Sequence, residues 1–191
     1  MGTSEYDIVV VGGGIAGLTA TASLGRLGFK TLCLEPTEYL LASPSHAQDV
    51  RSTAFLRNSI ELLEEIGVWK NLSKASHELK TMLIADCGGV GGDIRQQATF
   101  KASELSLPDF GYNVPNAKAK AELVSRIKSL KNCKISFGLK AINLTSQIDK
   151  VFLTLSNNKF VSAKLVIAAD GARSTLRELA GIKTFTAKNN Q

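Results

Sequence analysis

Residues 6–35 read YDIVVVGGGIAGLTATASLGRLGFKTLCLE, and this stretch decides the fold. Tyr6 to Val11 is a continuous apolar, β-branched run, as in a strand. Gly12-Gly13-Gly14-Ile15-Ala16-Gly17 follows at once, and Leu18 to Gly28 has helical character. A second apolar run, Thr31 to Leu34, ends on Glu35. Strand, glycine turn, helix, strand and acid in this order predict the opening βαβ unit of a dinucleotide-binding domain.

Each position has a physical task in that unit. Gly12 lets the chain leave the strand in a tight turn. Gly14 lets the backbone approach a pyrophosphate, and Gly17 lets the helix pack closely on the strand. The helix N-terminus offers unpaired N–H groups and a partial positive charge to phosphate, and Ile15 and Ala16, in the turn that leads into it, are expected among the cofactor-binding residues. Glu35 stands near the spacing of about 20 residues at which an acid accepts hydrogen bonds from ribose hydroxyls. The bland alternative is a ligand-free glycine turn between two core elements, which leaves the position of Glu35 unexplained.

The chain has 191 residues, of which 44% are hydrophobic and 21% charged. That is room for one domain with a real core, or one domain plus part of another. No run approaches the roughly 18 apolar residues of a membrane span, and MGTSEYD lacks the basic start of a signal peptide. The expected location is therefore cytoplasmic. Cys33, Cys87 and Cys133 are too far apart for a CxxC motif, and His46 and His77 are isolated, so no metal site is expected. The net charge of +6 owes much to cations between Lys118 and Lys140, which fit a solvated helix face. Nothing interleaves them with aromatics as nucleic-acid binding would require. A weak attraction to anionic lipid headgroups is compatible with the charge, and so with peripheral membrane contact.

Further along, Pro36 to Gln48 reads as a loop. Ser52 is expected to cap a helix whose face carries Phe55, Leu62, Leu63 and Ile66, with Gly67 as its stop and Trp69 under its end. Arg51 precedes that helix, where its fork can grip a phosphate or pair with Asp49. Lys80 to Ala85 and Ile94 to Lys101 predict a hairpin with one wet face, turned at CGGVGGD (residues 87–93). Asn116 is expected to cap a helix with an apolar stripe of Ala119, Leu123, Ile127 and Leu130. Four short strands follow as a meander: Lys134 to Phe137, Ala141 to Thr145, Val151 to Leu155 and Lys159 to Val161, with Asn157-Asn158 as a turn. Lys164 to Ala169 reads as a central strand buried on both faces. Asp170-Gly171 comes directly after it, where ligands bind in open α/β sheets, although an Asp-Gly pair is also a common turn. Thr175 and Glu178 have capping-box spacing for a short helix ended by Gly181.

Together, GxGxxG with Glu35, the stretch Asp49-x-Arg51-x-x-Ala54 and AADGARSTLR (168–177) resemble the flavoprotein aromatic hydroxylases of the p-hydroxybenzoate hydroxylase type. QDVRSTAFLRNSIELLEEIGVW (48–69) and ELSLPDFGYNVPNAKAKAEL (104–123) are most similar to the polyprenylphenol hydroxylases of ubiquinone biosynthesis. The resemblance implies an FAD-binding domain formed by residues 1–79 and 102–191, with residues 80–101 starting an inserted antiparallel substrate sheet. It implies that Gly12, Gly14 and Gly17 cradle the FAD pyrophosphate and that Glu35 binds the adenosine ribose. Arg51 would reach the phosphate or ribityl side, and Asp170 and Gly171 would serve both FAD and NAD(P)H.

The implied activity is NAD(P)H-dependent hydroxylation of a phenol with a prenyl tail. Where many such proteins carry an arginine facing the flavin, this chain has Ala117, with Lys118 and Lys120 beside it. The family's second cofactor motif, Gly-Asp followed by a small residue, is absent. The expectation is an N-terminal portion of a hydroxylase, inactive alone, with no catalytic acid or base assigned. Sheet faces left uncovered favour a homodimer. A non-catalytic FAD-binding remnant and a plain NAD-binding domain are the alternatives.

Overall fold

The computed structural model describes residues 3–37, 49–88 and 92–186. In chain order the elements begin with β1 (Ser4–Val11), α1 (Ile15–Arg26), β2 (Thr31–Glu35), β3 (Ser52–Leu56), α2 (Arg57–Ile66) and α3 (Trp69–Leu72). They continue with β4 (His77–Glu78), β5 (Thr81–Cys87), β6 (Ile94–Lys101), β7 (Gly111–Pro115) and α4 (Asn116–Ser129). The last are β8 (Cys133–Phe137), β9 (Ala141–Ser146), β10 (Val151–Leu155), β11 (Phe160–Ala168) and α5 (Thr175–Leu179). The chain divides into two compact units, Met1–Ser45 with Leu123–Gln191, and His46–Glu122. This is the expected α/β class, with a parallel core and antiparallel additions.

The first unit is built on a six-stranded sheet in the order β8-β2-β1-β11-β10-β9. β8, β2, β1 and β11 run parallel to one another, and β10 and β9 continue antiparallel. Alternation along the strands sorts the side chains. Val9, Val11, Leu32 and Leu34 join Leu153, Leu155, Val161 and Leu176 in one buried cluster. α1 lies across β1, β2 and β8. Each such large apolar side chain contributes about 1.5–3 kcal/mol on burial. The Cys33 thiol is fully buried and donates to the Gly12 carbonyl at 3.7 Å; burial pushes it up to about 11, as befits a packing residue.

Three expectations for this unit are corrected. The segment at 134–137 is not part of the meander: β8 pairs parallel with β2, through Cys33↔Ile135 and its neighbours. The meander is β9-β10-β11, turned at Asn158 in the left-handed region. The two strands expected at 159–161 and 164–169 are one continuous strand, Phe160–Ala168, which keeps a single register with β1 from Ser4↔Val161 to Val11↔Ala168. Its second half is central in the sheet but not buried on both faces: Leu165 is 51% exposed. β10 covers the edge of β11 only from Phe160 to Ala163. Beside the rest lies an open groove of about 670 Å³ lined in part by Leu144, Val151, Leu165, Val166 and Ile182.

In the second unit β3, β7 and β4 form an antiparallel sheet. Here Ser52 does not cap a helix. Residues 52–56 pair with β7 from Ser52↔Pro115 to Leu56↔Gly111, and α2 begins only at Arg57. Cross-strand pairing outweighs the helical spacing of the sequence. The buried stripe of α2 is accordingly Ile60, Leu63 and Ile66, while Phe55 is buried from the strand and Leu62 is exposed. Gly67 ends α2 at φ 86°, as expected. Trp69 packs edge-on against Tyr112, with ring centroids 5.2 Å apart. β5 and β6 pair antiparallel, but both strands are exposed along their whole length, not on one face only. Most of the predicted loop at 36–48, and the middle of the turn at 87–93, lie outside the described residues. Among the described residues no helix is long and apolar enough to cross a membrane.

Candidate cofactor site

The carboxyl ends of β1, β2 and β11 meet at one place. The Ala169 N–H donates to the Val11 carbonyl at 2.7 Å, and the Gly12 N–H donates to the Leu34 carbonyl at 2.8 Å. Gly12 adopts φ 112°, and a Cβ on it would overlap the Ala169 carbonyl oxygen. A Cβ on Gly17 would overlap the Gly12 carbonyl oxygen. These two glycines are required by the protein's own backbone. Gly14 differs: a Cβ there would meet nothing within 4 Å. Its lack of a side chain keeps open a space in front of α1, as close approach of a phosphate demands.

That space faces the helix N-terminus. Gly14 is the N-cap, no side chain caps α1, and no acidic residue stands in its first turn. The first-turn N–H groups, those of Ile15, Ala16 and Gly17 among them, therefore have no side-chain acceptor, and the helix dipole adds partial positive charge. A diphosphate fits both features.

Glu35 ends β2 against the loop. Its Oε2 accepts the Gly13 N–H at 2.6 Å and its Oε1 accepts the Thr37 N–H at 2.8 Å. Neither partner was legible from the motif, because Gly13 occupies a free position of GxGxxG.

Asp170 and Gly171 lie beside Gly12, whose Cβ would stand 2.7 Å from the Asp170 nitrogen. Asp170 already serves α5. Its Oδ2 accepts the Leu176 N–H at 3.0 Å, and its Oδ1 accepts the Ser174 hydroxyl at 2.5 Å. Partial burial pushes this carboxyl up, but those donors outweigh it and hold the group below its usual range. The N-cap of α5 is Ser174, whose hydroxyl accepts the Arg177 N–H at 3.0 Å. The cap thus falls one residue before the predicted Thr175. Gly171 has φ 84° and open space around its α-carbon.

Arg51 belongs to the second unit. Its guanidinium forks onto Asp49, with Nε 2.7 Å from Oδ1 and Nη2 3.0 Å from Oδ2. Asn116 Nδ2 and Lys120 Nζ also approach that carboxylate at 3.5 Å. The Arg51 hydrogen bond is the largest cause holding Asp49 well below the usual carboxylate range. Of the two readings of Arg51, the Asp49 pair is therefore formed, with the arginine side chain 78% exposed. Lys118 pairs with Glu122 one helical turn on. Among the described residues no group of three His, Cys, Asp or Glu side chains is placed to hold a metal.

The chain is 30% identical over 178 residues to ubiquinone hydroxylase UbiL of Rhodospirillum rubrum, covering 92% of this chain and 39% of that protein. It is 29% identical to 3-demethoxyubiquinol 3-hydroxylase of Escherichia coli, covering 95% of this chain and 45% of that protein. The chain thus spans less than half the length of these relatives. Among solved structures, p-nitrophenol 4-monooxygenase PnpA of Pseudomonas putida superposes with a TM-score of 0.74 at 24% identity, over 95% of this chain and 44% of that one. Residues 5–191 match the family described as the FAD binding domain, and the chain belongs to that family, whose cofactor is FAD.

Proposed function

We propose that this chain supplies the FAD-binding part of a monooxygenase that hydroxylates a polyprenylated phenol in ubiquinone biosynthesis. The observation that carries the reading is the open space at Gly14 before an uncapped helix N-terminus. The relatives named ubiquinone hydroxylase and 3-demethoxyubiquinol 3-hydroxylase support the substrate class.

In this reading the N–H groups of the α1 first turn bind the pyrophosphate, and Gly12, Gly14 and Gly17 shape the space for it. Glu35 accepts from the adenosine ribose. Asp170 and Gly171 border both cofactors, with NAD(P)H as co-substrate. Arg51 exchanges Asp49 for the cofactor's phosphate or ribityl side. When bound, FAD supplies the redox chemistry with oxygen, while the protein orients it and excludes water. The hairpin β5–β6 begins the substrate sheet.

The test is NAD(P)H-dependent incorporation of ¹⁸O from oxygen gas into a prenylated phenol by the FAD-loaded protein, assayed as its complete reading frame. Label in the ring supports the reading. No NAD(P)H oxidation with any prenylated phenol contradicts it.

A second reading is a catalytically inactive FAD-binding or self-associating chain. It is favoured by the half-paired edge of β11 and the exposed Leu165 beside it. The same faces would serve a homodimer or a peripheral membrane contact. A concentration-independent monomer in sedimentation, with no retention on anionic vesicles, contradicts both.

A further inference from the structure

Gly13 holds none of the three fingerprint positions, yet it is the glycine most closely fitted to Glu35. Its N–H donates to Glu35 Oε2 at 2.6 Å. A Cβ on Gly13 would stand 2.8 Å from Glu35 Cβ and 2.9 Å from both Cγ and Oε2. The other carboxylate oxygen accepts the Thr37 N–H at 2.8 Å. Glu35 is only 8% exposed, so water offers these amides little compensation. Charge-assisted bonds of this kind are about twice as strong as neutral ones.

We propose that Glu35 is a positioning residue for the phosphate loop. It pins the loop to the end of β2 before any nucleotide arrives. Gly13 precedes Gly14, the N-cap of α1, so fixing the Gly13 amide fixes where the first-turn donors stand. Each carboxylate oxygen keeps a further lone-pair direction, so ribose hydroxyls can be accepted without releasing the loop. Loss of the carboxylate then weakens the pyrophosphate site as well as the ribose site. The inference rests on the nucleotide-binding reading above and adds a second task to the acid.

The experiment compares ADP with 2′,3′-dideoxy-ADP, which lacks both ribose hydroxyls, on the wild-type chain and on Glu35→Gln. Calorimetry reads affinity, and amide exchange by NMR reads the Gly13 N–H without nucleotide. The glutamine keeps the shape but turns an NH₂ toward one of the two backbone donors. The expected result is a loss of about tenfold or more for dideoxy-ADP, with ADP falling at least as far. Gly13 exchange is expected to quicken by about tenfold or more in the variant.

Unchanged dideoxy-ADP affinity with a selective loss for ADP overturns the proposal, because Glu35 then acts on ribose alone. If Glu35→Gln does not fold, the wild type decides: slow Gly13 exchange supports the pin, and solvent-like exchange overturns it. Failure of the wild type to bind either nucleotide or FAD counts against the nucleotide-binding reading, and the exchange measurement still decides the pin.

Discussion

Gly12 lies against the backbone of Ala169 so closely that a Cβ on it would overlap the Ala169 carbonyl oxygen. The turn after β1 and the end of β11 are thereby locked together, and the two motifs they carry share one edge of the sheet. Gly12→Ala must therefore fail in the protein itself. Its φ of 112° adds strain to the overlap. The expected cost is about 2–4 kcal/mol of stability, read as a lower urea midpoint at unchanged slope.

Gly14→Ala should behave in the opposite way. Its Cβ meets open space and its φ of −68° suits any residue. Stability should change by less than about 1 kcal/mol, the scale of an N-cap substitution. FAD affinity should fall by about tenfold or more, because the methyl occupies the phosphate's space. Equal losses of stability for both variants would contradict the division of labour between the two glycines.

Asp170 predicts a pH dependence. Its carboxyl is held below the ordinary range, so it contributes stability that is fully present above its unfolded value of about 4. That contribution is lost as pH falls through the depressed folded value. Unfolding midpoints measured from pH 7 down to pH 2 should fall more steeply below about pH 4 in the wild type than in Asp170→Asn. Parallel profiles would remove Asp170 from the account.

Ser174 is a cap by geometry, since it accepts the Arg177 N–H and donates to Asp170. Ser174→Ala should cost about 1 kcal/mol in urea unfolding. Thr175→Ala should cost measurably less, because Thr175 is the first helical residue and not the cap.

Arg51 tests the second unit. Its pair with Asp49 is exposed, so Arg51→Ala should leave the thermal midpoint unchanged. If Arg51 transfers to the cofactor, FAD affinity falls by about tenfold, the loss of a charge-assisted contact. Unchanged affinity would leave it a surface arginine.

The sequence made the glycine turn and its acid legible because their requirements are local. Gly12 needs a positive φ, Gly14 needs open space, and Glu35 ends a strand of fixed length. Gly67 and Asn158 were legible for the same reason, as left-handed positions at a helix end and a hairpin turn. What stayed hidden depends on distant partners. β3 reads as the start of a helix until β7 pairs with it across some 60 residues. β8 reads as meander until β2 is seen beside it. The hold of Glu35 on Gly13 joins residues 22 positions apart, with a partner that the motif leaves free. The half-open edge of β11 reflects where β10 stops, which no local pattern announces.

The most direct test of the central claim is a titration of the purified chain with FAD, following flavin fluorescence and thermal unfolding together. The account predicts saturable quenching with a midpoint that rises with ligand concentration, as expected for binding to the folded state. Unchanged fluorescence and an unmoved midpoint at saturating FAD would contradict it: the open space before α1 would then be a feature of the fold and not a cofactor site.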